Sequence, residues 1–427
     1  MKRIVSLLIS VLLVANVAFA RNFFDGRFFE VRADVPFGIS NNVFSLDDIL
    51  VQDLVIDLPK INSEVPEKNG LTTIIRLDPS VSTKLRIAGF SIGAEVGADV
   101  YVKFGLSKGL FEFLGNGYNI GDTFDISLVD PIVDTFAYVN APMKLELGKF
   151  TFGLTPSTFL PVIAMKDSAT KATVVNDKDG NVVIEMKNNM NFYTTPLVGE
   201  QLKGMMPSDN GSNVQAGATV PNENQGTSMP SFSELGHYLG FDLGASVKYQ
   251  FNKRFDVRAD MRFPIVPAKL DTNMNVKNSF NMSMNIMGMT KGESPKQEPM
   301  TNDITLTKLD DPVKLNRPLK FNAYADYKLL GFLDFTAGGG LGIRRPGSDD
   351  FYAYPEYYLA AGINLFQMLK ASVSTEYTDQ LFRHAFNFVL NLRFVEVDAG
   401  VSLEASNFAK SFTGAGLGGY VGVVVGF

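Results

Sequence analysis

Residues 241–263 read FDLGASVKYQFNKRFDVRADMRF. One parity carries Phe241, Leu243, Ala245, Val247, Tyr249 and Phe251, and the other Asp242, Gly244, Ser246, Lys248 and Gln250. After Asn252-Lys253-Arg254 the pattern resumes, with Phe255, Val257, Ala259, Met261 and Phe263 against Asp256, Arg258, Asp260 and Arg262. A period of two places these sets on opposite faces of two strands joined by a tight turn. Strands of soluble sheets usually run to about five or six residues. These two run to about ten, the length at which a tilted strand crosses a bilayer.

The pattern recurs towards the C-terminus. Leu319, Phe321, Ala323, Ala325 and Tyr327 oppose Lys320, Asn322, Tyr324, Asp326 and Lys328. Leu333 to Ile343, Tyr357 to Leu365, Ala371 to Tyr377, Phe386 to Phe394 and Val397 to Ala405 alternate likewise, and Leu417, Gly419, Val421, Val423, Val425 and Phe427 close the series. The connections alternate too. FNKR, KLLG, FQML and RFVE are short, whereas RRPGSDDFYAYPEY, YTDQLF and SNFAKSF are longer or more polar. Short turns at one end and long loops at the other mark a transmembrane barrel, and closure satisfies every backbone group, as lipid demands.

The N-terminus agrees. Lys2 and Arg3 precede a largely apolar run from Ile4 to Val17 and then Ala18-Phe19-Ala20, the layout of a secretory signal peptide cleaved after Ala20. That leaves residues 21–427 as a single barrel domain. The 427-residue chain holds 39 Lys and Arg against 45 Asp and Glu, no Cys and no Trp, but 35 Phe and 38 Gly. The acidic balance argues against nucleic acid, and the lack of Cys excludes disulfides and thiol chemistry. The expectation is an all-β transmembrane antiparallel β-barrel of about 14 strands, with 12 to 16 compatible with the pattern.

Three resemblances follow from these residues. The alternating last strand ending in Phe resembles the C-terminal signal of bacterial outer-membrane barrels, which implies that Val421, Val423, Val425 and Phe427 are read by the barrel-assembly machinery. Residues 90–127 (FSIGAEVGADVYVKFGLSKGLFEFLGNGYNIGDTFDIS) and 147–161 (LGKFTFGLTPSTFLP) look like an uncharacterised barrel family of spirochaete and Bacteroidetes-type outer membranes. The strand number, with an N-terminal stretch able to plug the lumen, resembles the FadL-like long-chain fatty-acid transporter superfamily. No ligand-binding residue carries over from either family.

With Phe427 on the periplasmic side, residues 166–238 and 265–316 become external excursions. The first holds the hairpin ATVVNDKDGNVVIEM (172–186) and a polar, turn-rich stretch, 207–231; the second holds NMNVKNSFNMSMNIM (273–287), whose methionines read as hairpin packing. KGLFEFLGNG (108–117) reads as a short helix. Residues 35–80 do not resolve into elements, although SLDDILVQDL (45–54) suits a helix folded into the lumen.

Chemistry is sparse. There are two histidines, His237 in the first excursion and His384 near an external strand end beside Arg383, and no G-x-S-x-G elbow. NDKDGN fails the calcium-loop pattern, since Val175 and Met186 would occupy its first and last ligand positions. The glycine runs GGGLG (338–342) and GLGGYVG (416–422) lack a phosphate fingerprint and suit curvature or close approach of a plug. No catalytic residue, metal or cofactor is expected.

The inward row Lys248, Asp256, Arg258, Asp260, Arg262, Lys320, Asp326 and Lys328 is the functional candidate. Such charges set selectivity in a channel, or pair across strands and hold the interior together. The leading reading is passage or import of small solutes, hydrophobic or lipidic ones included, across the outer membrane, whose lipids are the first partner. A surface adhesin, antigen or structural barrel without transport is the alternative, an enzyme ranks third, and a soluble secreted β-protein is the structural rival.

Overall fold

The computed structural model describes residues 27–44, 57–116, 119–178, 181–205, 236–285, 296–298, 301–365, 368–414 and 416–427. The expected signal peptide, residues 45–56 and the polar stretch 207–231 lie outside the described residues. Each alternating segment forms a strand. The wall begins with β1 (Phe29–Asn41), β2 (Leu71–Leu77), β3 (Ser80–Ile87) and β4 (Phe90–Leu106). After β5 (Thr123–Asp125) come β6 (Leu128–Asn140), β7 (Met143–Leu147), β8 (Phe150–Met165), β9 (Ala169–Asn176) and β10 (Asn181–Thr194). Then follow β11 (Gly240–Gln250), β12 (Phe255–Val266), β13 (Ala268–Asn285), β14 (Lys296–Gln297) and β15 (Thr301–Leu315). The last seven are β16 (Leu319–Leu329), β17 (Leu333–Arg344), β18 (Tyr352–Leu365), β19 (Leu369–Thr378), β20 (Leu381–Asn391), β21 (Val395–Ala405) and β22 (Gly416–Gly426).

β2 and β3 form one stave, since both pair with β1 and β4, and β6 and β7 form another between β4 and β8. Each is interrupted at a proline, Pro79 or Pro142, where the ladder loses a donor. The neighbouring carbonyls still pair: Pro79 O accepts from Ala98 N at 3.0 Å and Pro142 O from Gly93 N at 2.8 Å. With these merged, fourteen antiparallel staves close into a barrel where β1 meets β22. Phe427 belongs to this seam. Its carbonyl accepts from Phe28 N at 2.6 Å and Phe29 N at 3.1 Å, and its own N–H donates to Phe29 O at 3.0 Å.

The outward parity is apolar and exposed on every stave, from Val35, Phe37 and Ile39 on β1 to Val421, Val423 and Val425 on β22. Soluble monomers rarely expose a continuous apolar band of this extent. At the short-turn end it is rimmed by exposed aromatics, among them Phe90, Phe150, Phe251, Phe332, Phe394 and Phe427. At the other end Tyr357, Tyr377, Phe382, Phe408 and Phe412 form a contiguous cluster. Two aromatic girdles flanking an apolar band fit a transmembrane barrel. Among the described residues no helix is long and apolar enough to cross a membrane; the strands cross it.

The described part of the N-terminal stretch lies largely in the wall, as β1 and β2. Beyond the rim the helix Leu58–Glu64 packs on the helix Lys108–Asn116 through Ile61, Val65, Leu110 and Phe111. Residues 45–56, which the sequence suits to a helix in the lumen, lie outside the described residues. At the same end β5, β9, β10, β13 and β15 form a sheet in that order, joined to the wall where β10 pairs with the end of β8. The expected excursions are thus β-structured. The base of this sheet turns into the mouth of the barrel, where Ala268, Leu270 and Leu315 pack on inward-facing Phe136, Tyr138 and Phe159.

The glycine run in β17 serves the inner surface. A Cβ on Gly338 would meet the ring of Tyr324 at 2.2 Å, and one on Gly342 the ring of Tyr354 at 2.2 Å. The tyrosines of the neighbouring staves lie flat across these glycines, which is possible only where the wall has no side chain.

Candidate functional site

β17 ends at Arg344 and Arg345 follows it; both side chains turn into the lumen, where they are buried. Arg344 donates from Nε to Asp379 Oδ2 at 3.1 Å and from Nη1 to Asp134 Oδ2 at 3.5 Å, and its Nη2 is also bonded to Asp379. Its guanidinium lies 3.7 Å from the centroid of the Tyr101 ring. Arg345 donates from Nη2 to Asp134 Oδ1 at 2.8 Å and to the Met165 carbonyl at 2.8 Å, and pairs with Asp350 through Nη1. Tyr352 OH donates to Asp379 Oδ1 at 2.8 Å.

These contacts cross the barrel. Asp134 and Tyr101 stand on β6 and β4, whereas Arg344, Tyr352 and Asp379 come from β17, β18 and the β19–β20 turn. Beside them inward-facing Ile74, Tyr101 and Leu381 pack together. The lumen is thus crossed at this end by an ionic latch set in apolar and aromatic side chains. Forked Arg–carboxylate bonds suit this task because one guanidinium spans two acids with fixed geometry.

Asp379 sits in the two-residue external turn with Gln380, at φ 50° and 69°. Neither residue is glycine, so the turn is strained, and the bonds to the Asp379 carboxylate hold it. Burial alone would raise this carboxyl, but Arg344 and the hydrogen bonds from Arg344 and Tyr352 hold it below the usual carboxylate range.

Two further networks lie on the inner wall. Arg317 donates to Ser157 Oγ at 3.2 Å, stands 3.6 Å from Asp242 and lies over the Tyr138 ring at 4.4 Å. Glu404 accepts from Arg383 Nε at 2.7 Å and Ser402 Oγ at 3.0 Å, with Arg76 at 3.4 Å. Such groups persist in a barrel interior because each is paired.

All eight residues of the inward row stand on inward-facing positions of β11, β12 and β16. Lys248 pairs with Asp256 at 3.1 Å, Arg258 with Asp326 at 3.9 Å, and Lys320 with Glu356 at 3.2 Å. Arg262 donates to the Pro318 carbonyl at 2.9 Å. Asp260 faces inward between Arg258 and Arg262, and Lys328 has no ion-pair partner among the described residues. The row does not converge on one point; its members largely pair between adjacent staves. The latch lies one level above it, and sequence reasoning missed it. The only local signal was an Arg-Arg pair at the external end of an apolar strand.

Below the latch lies a cavity of about 360 Å³ whose walls include Arg76, Asp78, Asp99, Arg262, Arg317 and Lys320. A second space of about 190 Å³ continues beside Tyr324, Glu356, Tyr358 and Glu376. A larger concavity, about 1000 Å³, runs across outward-facing Ala325, Ala337, Phe386 and Val401. It lies on the apolar outer side of the wall, outside the lumen.

His384 faces outward, stacked on Phe412 at 3.8 Å, with Nε2 2.8 Å from Ser411 Oγ. The Ser411 hydroxyl donates to the Phe408 carbonyl at 2.6 Å. Its oxygen therefore accepts from Nε2–H, and the pair ties the 406–414 loop to the outer wall. A nucleophile would need the opposite proton arrangement. His237 packs on Tyr238 at the rim. Among the described residues no group of three His, Cys, Asp or Glu is placed to hold a metal.

No family model and no curated protein matches the chain. Solved structures do. The Ralstonia pickettii toluene transporter TbuX is 8% identical over 95% of this chain and 91% of its own, with a TM-score of 0.44. The P. putida toluene transporter TodX is 9% identical over 96% and 92%, at 0.40. A Pseudomonas aeruginosa FadL homologue is 8% identical over 94% and 92%, at 0.37.

Proposed function

We propose that the protein is an outer-membrane channel that passes or imports small solutes, hydrophobic ones included, and that the Arg344–Asp379–Asp134 latch is its outer gate. The observation that carries this is a closed barrel with a lipid-facing exterior, cavities along its axis and a side-chain closure at one end. A purely structural barrel needs no such cavities. Tyrosine rings lying over wall glycines, as at Tyr324 and Tyr354, offer flat apolar surface beside the charges, so the path is amphipathic. In the membrane each charge is held inside, where pairing offsets its desolvation.

Purified protein in planar bilayers is expected to show low conductance interrupted by larger openings, and proteoliposomes to admit small solutes. Absence of both would remove the transport reading. The external sheet of β9, β10, β13 and β15 supports the second reading, a surface-interaction protein. Deleting residues 196–236 separates the two: loss of binding to a host surface with unchanged permeation favours the second.

A further inference from the structure

The cavity below the latch brings together charges of both signs that have no ion-pair partner among the described residues. On one side it is walled by Asp78, at the break between β2 and β3, and by Asp99 on β4. On the other it is walled by Arg262 on β12 and by Lys320 at the start of β16. These pairs of staves stand across the barrel from one another, so two acids face two bases across a space that Arg76 and Arg317 also line.

Most nearby charges are spent. Arg317 is held by Ser157 and Asp242, Lys320 by Glu356, Arg383 and Arg76 by Glu404, and Arg344 by Asp379 and Asp134. Three groups are not. Arg262 donates only Nε, to a backbone carbonyl, and has no carboxylate within ion-pair distance among the described residues. Asp99 makes no ion pair or hydrogen bond among the described residues, although Arg317 stands near enough to attract both it and Asp78. Asp78 accepts from Tyr138 OH at 3.0 Å through Oδ1 alone. Leaving opposite charges unpaired across a confined space costs stability unless something bridges them.

We propose that this cavity is a binding site for a small zwitterion of the α-amino-acid class, its ammonium directed to Asp78 and Asp99 and its carboxylate to Arg262. The size fits. A volume of about 360 Å³ admits an amino acid but not a long acyl chain. Arg262 keeps its Nη donors free for a carboxylate, and a free Asp99 carboxylate with one free Asp78 oxygen suits an ammonium with three donors. Tyr101 and Tyr354 line the same space and supply apolar surface for the side chain. A solute with one charge would satisfy one wall and leave the other unpaired, which is how a site of this kind discriminates.

This inference rests on the transport reading for its purpose but not for its test. L-serine, glycerate, ethanolamine and glycerol are close in size and carry both charges, the negative one, the positive one and none. Calorimetric titration of the detergent-purified protein with each reads the site without flux. Proteoliposome swelling with the same four reads passage. Serine is expected to bind most tightly and to compete with its own permeation at high concentration. Arg262→Gln and Asp99→Asn should each weaken serine about tenfold, the loss of one charge-assisted contact, and in opposite senses: the first retains ethanolamine binding, the second glycerate. Equal binding of all four solutes, or the same change of preference in both variants, overturns the site. Serine binding without any solute flux upholds the site and sinks the channel.

Discussion

Arg344→Ala is expected to convert the protein from a mostly closed to a mostly open channel, seen as a several-fold rise in mean bilayer conductance. The substitution leaves Asp379 buried with only Tyr352 as a direct partner and removes one of the two guanidinium groups on Asp134. Breaking a buried ion pair from one side costs about 3–5 kcal/mol. That is most of the roughly 5.5 kcal/mol that moves a two-state element from 1:99 to 99:1. Arg344→Lys keeps the charge but cannot fork across two carboxylates, and should fall between. The pH dependence has a definite sign. Because the Asp379 carboxyl lies below its usual range, its contribution to closure is complete above the ordinary carboxylate pKa. It is lost only as pH falls through the lowered value, so wild-type opening in acid should begin below the range where exposed carboxylates titrate.

The second expectation concerns the outer surface. Val401, in the middle of β21, is 67% exposed. On a soluble protein an arginine there would be almost without effect. In a bilayer it should destabilise by about 2–4 kcal/mol, while the same change near an interface, at Val395, should cost about 0–1 kcal/mol. Urea titration of protein refolded into liposomes measures both. Equal, small effects at the two positions would mean that water, not lipid, meets this wall.

Much of the architecture is legible in the sequence because strand periodicity is a local property. Residues 241–263 carry their own register, and each later strand repeats the signal, so strand type and face follow. What could not be read depends on partners far away along the chain. Asp134 and Arg345 are 211 residues apart, and nothing in either neighbourhood announces the other. Arg345 lies just past a strand end, where alternation stops being informative, and Asp134 lies within β6, where its inward parity names no partner. The glycines of β17 show the same limit. Their sequence suggests curvature or close approach, but the rings over them belong to Tyr324 on β16 and Tyr354 on β18, so the meaning of Gly338 and Gly342 resides in their neighbours. The inward row was legible as inward, yet its pairings follow from strand register, which one strand does not encode. YTDQLF looked like one of the longer or more polar connections and is a two-residue turn, because Arg344 and Tyr352 anchor its aspartate where a glycine would otherwise be favoured.

The central claim is that the outward parity of these strands meets lipid and the inward parity does not. The chain has no native cysteine, so single cysteines along β21 can each carry one nitroxide. In liposomes, labels at 397, 399, 401 and 403 should be reached by oxygen and shielded from a polar nickel complex, while labels at 396, 398 and 402 should be poorly reached by oxygen. Loss of that period-two alternation, with both parities shut off from oxygen as in the core of a two-sheet protein, would contradict the account.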